Sequence, residues 1–203
     1  MVVILDYGMG NIGSIYNMLK KIGTEALISN DRIEIERADK IILPGVGNFD
    51  NGMKNLIELG LDDEIKKQVI INKKPLLGIC LGMQLLGRKS EEGSCTGLSL
   101  VEFDNKRFSF SENKLKIPHM GWDTVILNMN DKLLEGITGL QRYYFVHSYH
   151  AICDNTEDIL MTCDYGYPFP AAIKRGNIYG VQFHPEKSHK FGMDLLTNFI
   201  RSV

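Results

Sequence analysis

A cysteine between two glycines is a candidate nucleophile in this sequence. Residues 78–82 read GICLG, directly after an apolar run and before a helical pattern. The glycines permit a sharp turn from strand to helix, which would present Cys80 beside a helix N-terminus, where a thiolate is favoured. A small core cysteine that packs between glycines is the alternative, because free cysteines are commonly buried. The pentapeptide by itself leaves both interpretations open.

A histidine and a glutamate near the C-terminus could supply the base that a thiol nucleophile requires. Residues 182–186 read QFHPE and close a predicted strand. Side chains two positions apart lie on the same side of an extended segment, so Glu186 can reach the His184 ring and fix its tautomer. By itself the segment also fits a surface histidine at a strand end. Together with an elbow cysteine, it predicts a triad of Cys80, His184 and Glu186.

A glycine loop after another apolar run is a candidate for oxyanion binding. Residues 44–48 read PGVGN, and loops at the carboxyl ends of parallel strands line the active crevice of open α/β sheets. The backbone N–H groups of this loop and of Leu81 could hold the oxyanion of an acyl-transfer intermediate. An ordinary tight turn is the alternative.

The glycines near the N-terminus support a competing function. Residues 8–13 read GMGNIG, which matches G-x-G-x-x-G between a predicted strand and a predicted helix, and Asp31 follows about 20 residues later. This is the fingerprint of a dinucleotide-binding oxidoreductase. Against it, the second predicted strand is weak, and the three other motifs would have no purpose in such an enzyme.

The remaining histidines and cysteines predict no metal site. His147 and His150 form an H-x-x-H pair without a third ligand at a recognisable spacing, and Cys153 and Cys163 have none of the zinc spacings. We therefore expect Cys95, Cys153 and Cys163 to be packing residues, and we expect no metal or other cofactor.

The single tryptophan lies in a segment typical of an interface. Residues 116–122 read KIPHMGW, and tryptophan and methionine are common buried anchors where proteins meet. The proline and the glycine favour a loop, and therefore a surface position for Trp122. A core tryptophan is the alternative.

The order of predicted elements indicates an α/β fold. Strand, glycine turn and helix alternate over the first 90 residues, which predicts parallel strands with helical crossovers. The strands are predicted at residues 2–5, 26–28, 40–43 and 75–80, with helices at 12–22 and from 53 onward. Short strands follow, before a terminal helix at 192–203, at residues 98–103, 125–127, 143–146, 159–162, 171–174 and 178–183. We predict one domain over residues 1–203, a single open, mixed and mostly parallel sheet flanked by helices, with a more antiparallel C-terminal half.

Composition and charge argue against several classes of function. The chain has 203 residues, with 23 basic and 25 acidic side chains and a formal net charge of −2. This balance predicts neither a nucleic acid nor an anionic membrane as partner. No apolar run approaches the roughly 20 residues of a membrane span, and no leader pattern precedes the first strand. Four cysteines without a C-x-x-C pair indicate a reduced, cytoplasmic protein.

Taken together, these segments resemble the class I (triad) glutamine amidotransferases, which have a flavodoxin-like fold. Within that family the chain is similar to the glutaminase subunits of imidazole glycerol phosphate synthases. The similarity runs nearly end to end, through DYGMGN, LPGVG, GICLGMQLL, PHMGW, YFVHSY and QFHPEKS, which begin at residues 6, 43, 78, 118, 144 and 182. The cysteine and histidine segments indicate the superfamily, and the first, fourth and fifth segments narrow it to these subunits.

The resemblance implies a role for each matching residue. Cys80 would be the nucleophile toward L-glutamine, His184 the base and Glu186 the group that orients it. The implied glutamine-binding and oxyanion residues are Gly45, Val46, Gly47, Leu81, Gln84, Glu92 and Ser148. The implied partner-facing residues are Met9, Asn11, Met120 and Trp122.

The resemblance also implies a protein partner, a (β/α)8-barrel synthase that receives the ammonia, in an expected heterodimer. In such subunits hydrolysis is slow alone, and the oxyanion strand, here residues 45–47, rearranges when the partner is occupied. Two positions depart from the usual sequence of these subunits: Asn48 stands where histidine is usual, and Asp123 stands where asparagine is usual. Because of these departures, the sequence supports the identity of the partner less strongly than it supports the glutaminase. A paralogous subunit that supplies ammonia to the amidation of a surface sugar is therefore the alternative.

Overall fold

Parallel strands and crossover helices build the first half of the chain. The computed structural model describes residues 1–111 and 115–203. In chain order the elements are β1 (Val2–Leu5), α1 (Ile12–Ile22), β2 (Ala26–Ser29), α2 (Arg32–Arg37), β3 (Lys40–Leu43), α3 (Phe49–Glu58), α4 (Leu61–Lys66), β4 (Leu76–Ile79) and α5 (Leu81–Leu85). The alternation that the sequence predicts for this half is confirmed.

The second half consists mainly of strands and ends in a helix. Its elements are β5 (Lys89–Ser90), β6 (Phe103–Arg107), β7 (His119–Leu127), β8 (Gln141–His147), β9 (Tyr149–Cys153), β10 (Ile159–Asp164), β11 (Pro168–Arg175), β12 (Ile178–Val181) and α6 (His189–Arg201). Among the helices described, none combines the length and the apolar character needed to cross a membrane.

Nine of these strands form one mixed sheet. Their order is β2-β1-β3-β4-β12-β11-β10-β7-β8. Pairing is parallel from β2 to β12 and antiparallel from β12 to β8. The prediction of a mixed α/β sheet with an antiparallel C-terminal half is confirmed. Since β3, β4 and β12 are parallel neighbours, the segments that follow them meet at one edge of the sheet.

Helices cover both faces of the parallel strands, so alternate residues of one strand enter two different apolar cores. Val2 and Ile4 of β1 belong to the core that includes α1 and α6, whereas Val3 and Leu5 belong to the core that includes α3 and α5. Burial on both faces explains why this strand is apolar at every position.

The predicted strand at residues 98–103 is wrong. Strand β6 begins only at Phe103, and it pairs with β5 and β9 in a separate three-stranded sheet. Residues 98–102 form a loop whose apolar side chains are buried against the end of α5, where Leu98 N–H and Leu100 N–H donate to carbonyl oxygens at 2.8 and 2.9 Å. Apolar side chains there reflect packing against a helix, which short apolar runs do not distinguish from strand pairing.

Among the other differences from the predicted bounds, two concern segments near the site. Strand β7 begins at His119, so Trp122 lies in a strand opposite Tyr144 and not in a loop. Helix α6 begins at His189, three residues before the predicted start. The helix can begin early because Gly192 lets the chain approach the Pro185 carbonyl, which lies 1.8 Å from where a Cβ would stand.

Candidate active site

The pairing of β4 with β12 brings Cys80 and His184 to the same edge of the sheet. Ile79 pairs with Val181 in parallel register, and Cys80 N–H donates to the Val181 carbonyl at 2.8 Å. His184 N–H donates to the Tyr144 carbonyl at 2.9 Å, which fixes the segment that follows β12. Residues far apart in the sequence therefore become neighbours through one strand pairing.

The turn at Cys80 is a strained strand-to-helix elbow. Cys80 has φ 53° and ψ −108°, an unusual conformation for a residue with a side chain. The glycines around it permit close packing: a Cβ on Gly82 would lie 1.9 Å from the Leu43 carbonyl oxygen, and one on Gly78 would lie 2.7 Å from that of Gly82. The G-x-C-x-G spacing is thus required by the geometry of the turn.

His184 and Glu186 are hydrogen-bonded, although not in the way that the sequence suggests. His184 Nδ1 lies 2.8 Å from Glu186 Oε1, and both side chains are buried. The two residues are not on one extended strand, because β12 ends at Val181 and a 3-10 turn spans Pro185–Lys187. Pro185 begins this turn, where its fixed φ and missing N–H are tolerated, and the turn carries the carboxylate back to the ring.

The electrostatic environment favours a charged His184 ring. Burial lowers the pKa of His184, but Cys80 and Glu186 outweigh burial and raise the pKa to about 9. Nδ1 is engaged by Glu186, and Nε2 is buried without a hydrogen bond to any described residue. Nε2 is therefore the nitrogen available for proton transfer.

A cavity of about 290 Å³ opens beside the Cys80 sulfur. Its volume suits a small polar metabolite. Six of the residues that the resemblance implies for glutamine or oxyanion binding line it together with Cys80: Val46, Gly47, Leu81, Gln84, Glu92 and Ser148. Pro118, Val146 and His147 complete the lining and were not predicted. The sequence held a signal for each of them: Val146 and His147 directly precede Ser148, and Pro118 lies in the segment 116–122 that contains the tryptophan.

Two polar side chains of the cavity wall are held by hydrogen bonds. Gln84 Nε2 donates to the Tyr149 carbonyl at 3.0 Å and to Gln182 Oε1 at 3.1 Å, and Gln182 Nε2 points at Cys80 Sγ, 3.8 Å away. Glu92 accepts a hydrogen bond of 2.7 Å from Phe49 N–H at the start of α3. Gln182 is a buried neighbour of the thiol that the sequence reasoning did not single out as a site residue.

One of the backbone N–H groups predicted as oxyanion donors, that of Leu81, is already engaged. Leu81 N–H donates to the Gly45 carbonyl at 3.3 Å, a long hydrogen bond. Gly45 is closely surrounded, since a Cβ there would lie 2.7 Å from Gly82 N and 2.8 Å from the Tyr7 hydroxyl oxygen. In this arrangement the Leu81 N–H is not free to donate to an oxyanion.

The N-terminal glycines support this loop. A Cβ on Gly10, which has φ +107°, would lie 2.9 Å from Pro44 Cβ and 3.1 Å from Gly45 N. The Met9 side chain approaches Gly47, where a Cβ would lie 3.0 Å from Met9 Cε. Close packing against the oxyanion loop thus accounts for Gly10 without a dinucleotide.

The two departures noted in the sequence have structural roles. Asn48 caps α3, because its side-chain oxygen accepts a hydrogen bond of 3.1 Å from Asn51 N–H. Asp123 lies on β7, where its carboxylate is 3.2 Å from His119 Nε2.

The residues predicted to face a partner lie near the surface. Met120 and Trp122 are 61% and 37% exposed on one side of β7. The Trp122 ring stacks on His189 with centroids 5.4 Å apart. Met9 and Asn11, in the N-terminal loop, are partly buried. That these residues contact a partner stays a prediction.

Comparison with known proteins decides the family. A family model described as glutamine amidotransferase class-I matches residues 3–203. The chain belongs to this amidotransferase family. The family predicted from the sequence is therefore confirmed, and the chain is an enzyme subunit of the glutaminase type.

Named relatives match over their whole length. The imidazole glycerol phosphate synthase subunit HisH 2 of Methanococcus maripaludis is 55% identical over 203 residues, with 100% of each chain covered. The protein of the same name from Pseudomonas aeruginosa is 50% identical, again with 100% of each chain covered. The subunit HisH 1 of M. maripaludis is 43% identical over 206 residues, and 100% of each chain is covered.

Solved structures of other amidotransferases share the fold of this family member. PurLQS from Thermotoga maritima superposes with a TM-score of 0.74 at 18% identity, over 98% of this chain and 96% of that one. The glutaminase domain of Trypanosoma brucei CTPS with bound acivicin gives 0.70 at 15% identity, over 100% and 94%. At such identities the similarity concerns the fold alone.

Proposed function

We propose that this amidotransferase hydrolyses L-glutamine to glutamate and ammonia, and that it passes the ammonia to a (β/α)8-barrel synthase that makes imidazole glycerol phosphate in histidine biosynthesis. The hydrolysis is supported by three groups: an elbow cysteine that lines the cavity, a buried imidazole whose Nε2 has no hydrogen bond to a described residue, and a carboxylate 2.8 Å from the Nδ1 of that imidazole. The names of the full-length relatives support the synthase.

Each residue of the triad has one chemical task. The Cys80 sulfur attacks the side-chain amide carbon of glutamine, and the C–N bond breaks as nitrogen leaves as ammonia with a proton from His184 Nε2. Water, deprotonated by the same nitrogen, then attacks the thioester, which releases glutamate and restores the thiol. Glu186 holds the ring in the required tautomer and stabilises its charged form.

The oxyanion loop must move before this chemistry can proceed efficiently. The tetrahedral intermediate needs backbone donors at its oxygen, yet Leu81 N–H is engaged by the Gly45 carbonyl at 3.3 Å. Breaking so long a hydrogen bond costs no more than about 1 kcal/mol. A partner that turns this carbonyl away would therefore activate hydrolysis when an acceptor is ready for ammonia.

A second candidate acceptor is a surface sugar, with a paralogous partner. One comparison supports this second acceptor. The chain is 55% identical to subunit HisH 2 of M. maripaludis but 43% identical to subunit HisH 1 of the same organism. Two such subunits in one organism are compatible with two different acceptors.

The test is glutamine hydrolysis by the chain together with its barrel partner, measured as glutamate released. We expect turnover with the native chain and none above background with Cys80→Ala, while Cys95→Ala, which changes a thiol outside the cavity, keeps normal activity. Incorporation of 15N from labelled glutamine into the imidazole precursor or into a candidate sugar then separates the two acceptors. Equal glutamate release by the native chain and Cys80→Ala would contradict the proposed hydrolysis.

A further inference from the structure

Three side chains that bind metals in proteins lie together on the inner side of β7. A ring nitrogen of His119, an Asp123 carboxylate oxygen and Cys163 Sγ are all within 4.8 Å of one another, and Nε2 is the ring nitrogen that faces Asp123 at 3.2 Å. Strand pairing aligns Cys163 with Val125, which faces the same side of β7 as Asp123. Gly121 stands between His119 and Asp123, and a Cβ there would meet no atom within 4 Å.

The hydrogen bonds that lead to this cluster fix which nitrogen of each ring carries a proton. His147 Nδ1 lies 2.7 Å from the Tyr149 carbonyl oxygen, which can only accept, so this nitrogen carries the proton. The other nitrogen, Nε2, of a neutral His147 then accepts from His119 Nδ1 at 3.2 Å. A neutral His119 consequently turns the lone pair of Nε2 toward Asp123 Oδ2, 3.2 Å away.

A lone pair that faces a carboxylate at this distance requires a cation between or beside the two groups. A proton can meet the requirement on one of the two buried rings, where desolvation disfavours the charge, or on Asp123, where it neutralises the carboxylate. A divalent metal meets it directly, because imidazole nitrogen, carboxylate oxygen and thiolate sulfur are all ligands of Zn²⁺. One thiolate and one carboxylate also neutralise the two positive charges of the ion, which suits a site in the protein interior.

The cluster has the supports and the access that a metal site needs. The His119 ring is stacked between Tyr165 and Phe145, with centroid distances of 4.0 and 4.7 Å, and its Nδ1 is held by His147. Such outer hydrogen bonds orient the histidine ligands of metals. The Asp123 side chain is 33% exposed, which provides a path for an ion from solvent.

We propose that His119 Nε2, the Asp123 carboxylate and Cys163 Sγ bind one Zn²⁺ ion, with water in the fourth position. Ligand atoms around tetrahedral zinc lie about 3.3–3.8 Å apart, so atoms that are within 4.8 Å of one another need to close by no more than about 1.5 Å. The ion would join β7 to β10 behind the exposed Met120 and Trp122, and His147 connects it to the cavity wall. The site is independent of glutamine hydrolysis.

Cobalt provides the test, because thiolate coordination to Co²⁺ produces an intense near-ultraviolet charge-transfer band together with visible d–d bands. The full chain, stripped of metal and reduced, is titrated with Co²⁺, and the Co²⁺ is then displaced with Zn²⁺. We expect one equivalent to bind, with both band types. In Cys163→Ser the thiolate band should vanish, and in Asp123→Asn, which keeps the side-chain shape, affinity should fall at least about tenfold.

Two control variants distinguish this site from the other thiols. Cys153→Ser, on β9, and Cys80→Ala, at the elbow, should keep the full spectrum, so failure of the triad chemistry would leave this result unchanged. Circular dichroism checks that each variant is folded. If Cys163→Ser does not fold, the Co²⁺ affinity of Asp123→Asn decides whether this cluster binds the metal. Absence of Co²⁺ binding at micromolar concentration, or a spectrum that depends on Cys80 and not on Cys163, would overturn the proposal.

Discussion

The Leu81 N–H and the Gly45 carbonyl are hydrogen-bonded at 3.3 Å, directly beside the Cys80 sulfur. Leu81 follows the nucleophile, so its N–H is where an acyl-transfer enzyme needs a free donor. Because the Gly45 carbonyl accepts this N–H, the proposed nucleophile Cys80 and base His184 are in place, whereas the proposed oxyanion donor is engaged.

We expect a partner to raise kcat for glutamine hydrolysis rather than lower KM. One oxyanion donor is worth about a hundredfold or more in kcat, and it acts only on the transition state. Steady-state kinetics with and without the loaded barrel partner measure this split. A partner effect confined to KM would mean that the loop does not limit the reaction.

His184 should titrate with a pKa of about 9, because Cys80 and Glu186 outweigh the effect of burial. The ring is then protonated at neutral pH and loses its proton only as the pH rises through that value. Glu186→Gln and Cys80→Ala should each lower this pKa, since each removes a group that favours the cation. NMR of the imidazole nitrogens measures it, with His150, which lies away from the cavity lining, as the unaffected reference.

Gly45→Ala should destabilise the fold by about 1–3 kcal/mol, because a methyl group there collides with Gly82 N and the Tyr7 hydroxyl. Gly13→Ala is the matched control, since its Cβ would meet no atom within 4 Å and the residue lies in α1. That variant should be neutral or more stable by up to about 1 kcal/mol. Urea unfolding of both variants provides the comparison, and equal effects would show that the loop tolerates a side chain.

Trp122→Ala should weaken binding of the barrel partner at least about tenfold, because exposed tryptophans are frequent anchors of interfaces. Ile126→Ala is the control: Ile126 lies on the same side of β7 and is 63% exposed, four residues farther along. Calorimetric titration measures both affinities. Similar losses for the two variants would indicate a general effect on β7 rather than a contact made by the tryptophan.

The sequence by itself predicted the parts whose physics is local. Glycines at 78 and 82 around Cys80 indicated the elbow, because the close approach to Leu43 and the rest of the turn excludes larger residues. Apolar runs ending in glycine loops indicated parallel strands, and parallel strands imply that their following loops meet at one edge. The family, and six of the residues that line the cavity with Cys80, were predicted from the resemblance of longer segments to known amidotransferases.

Only the tertiary structure decided contacts that depend on how distant segments are oriented. It showed that a 3-10 turn, and not an extended strand, carries Glu186 to His184, and that Leu81 N–H is engaged by Gly45. It also brought Cys163 beside His119 and Asp123 across two strands, where the sequence predicted only a packing cysteine. Residue spacing describes only which residues are neighbours along the chain. Which hydrogen bonds form, and which side chains cluster, depends on strand register and side-chain direction. Both are determined by the packing of the whole fold.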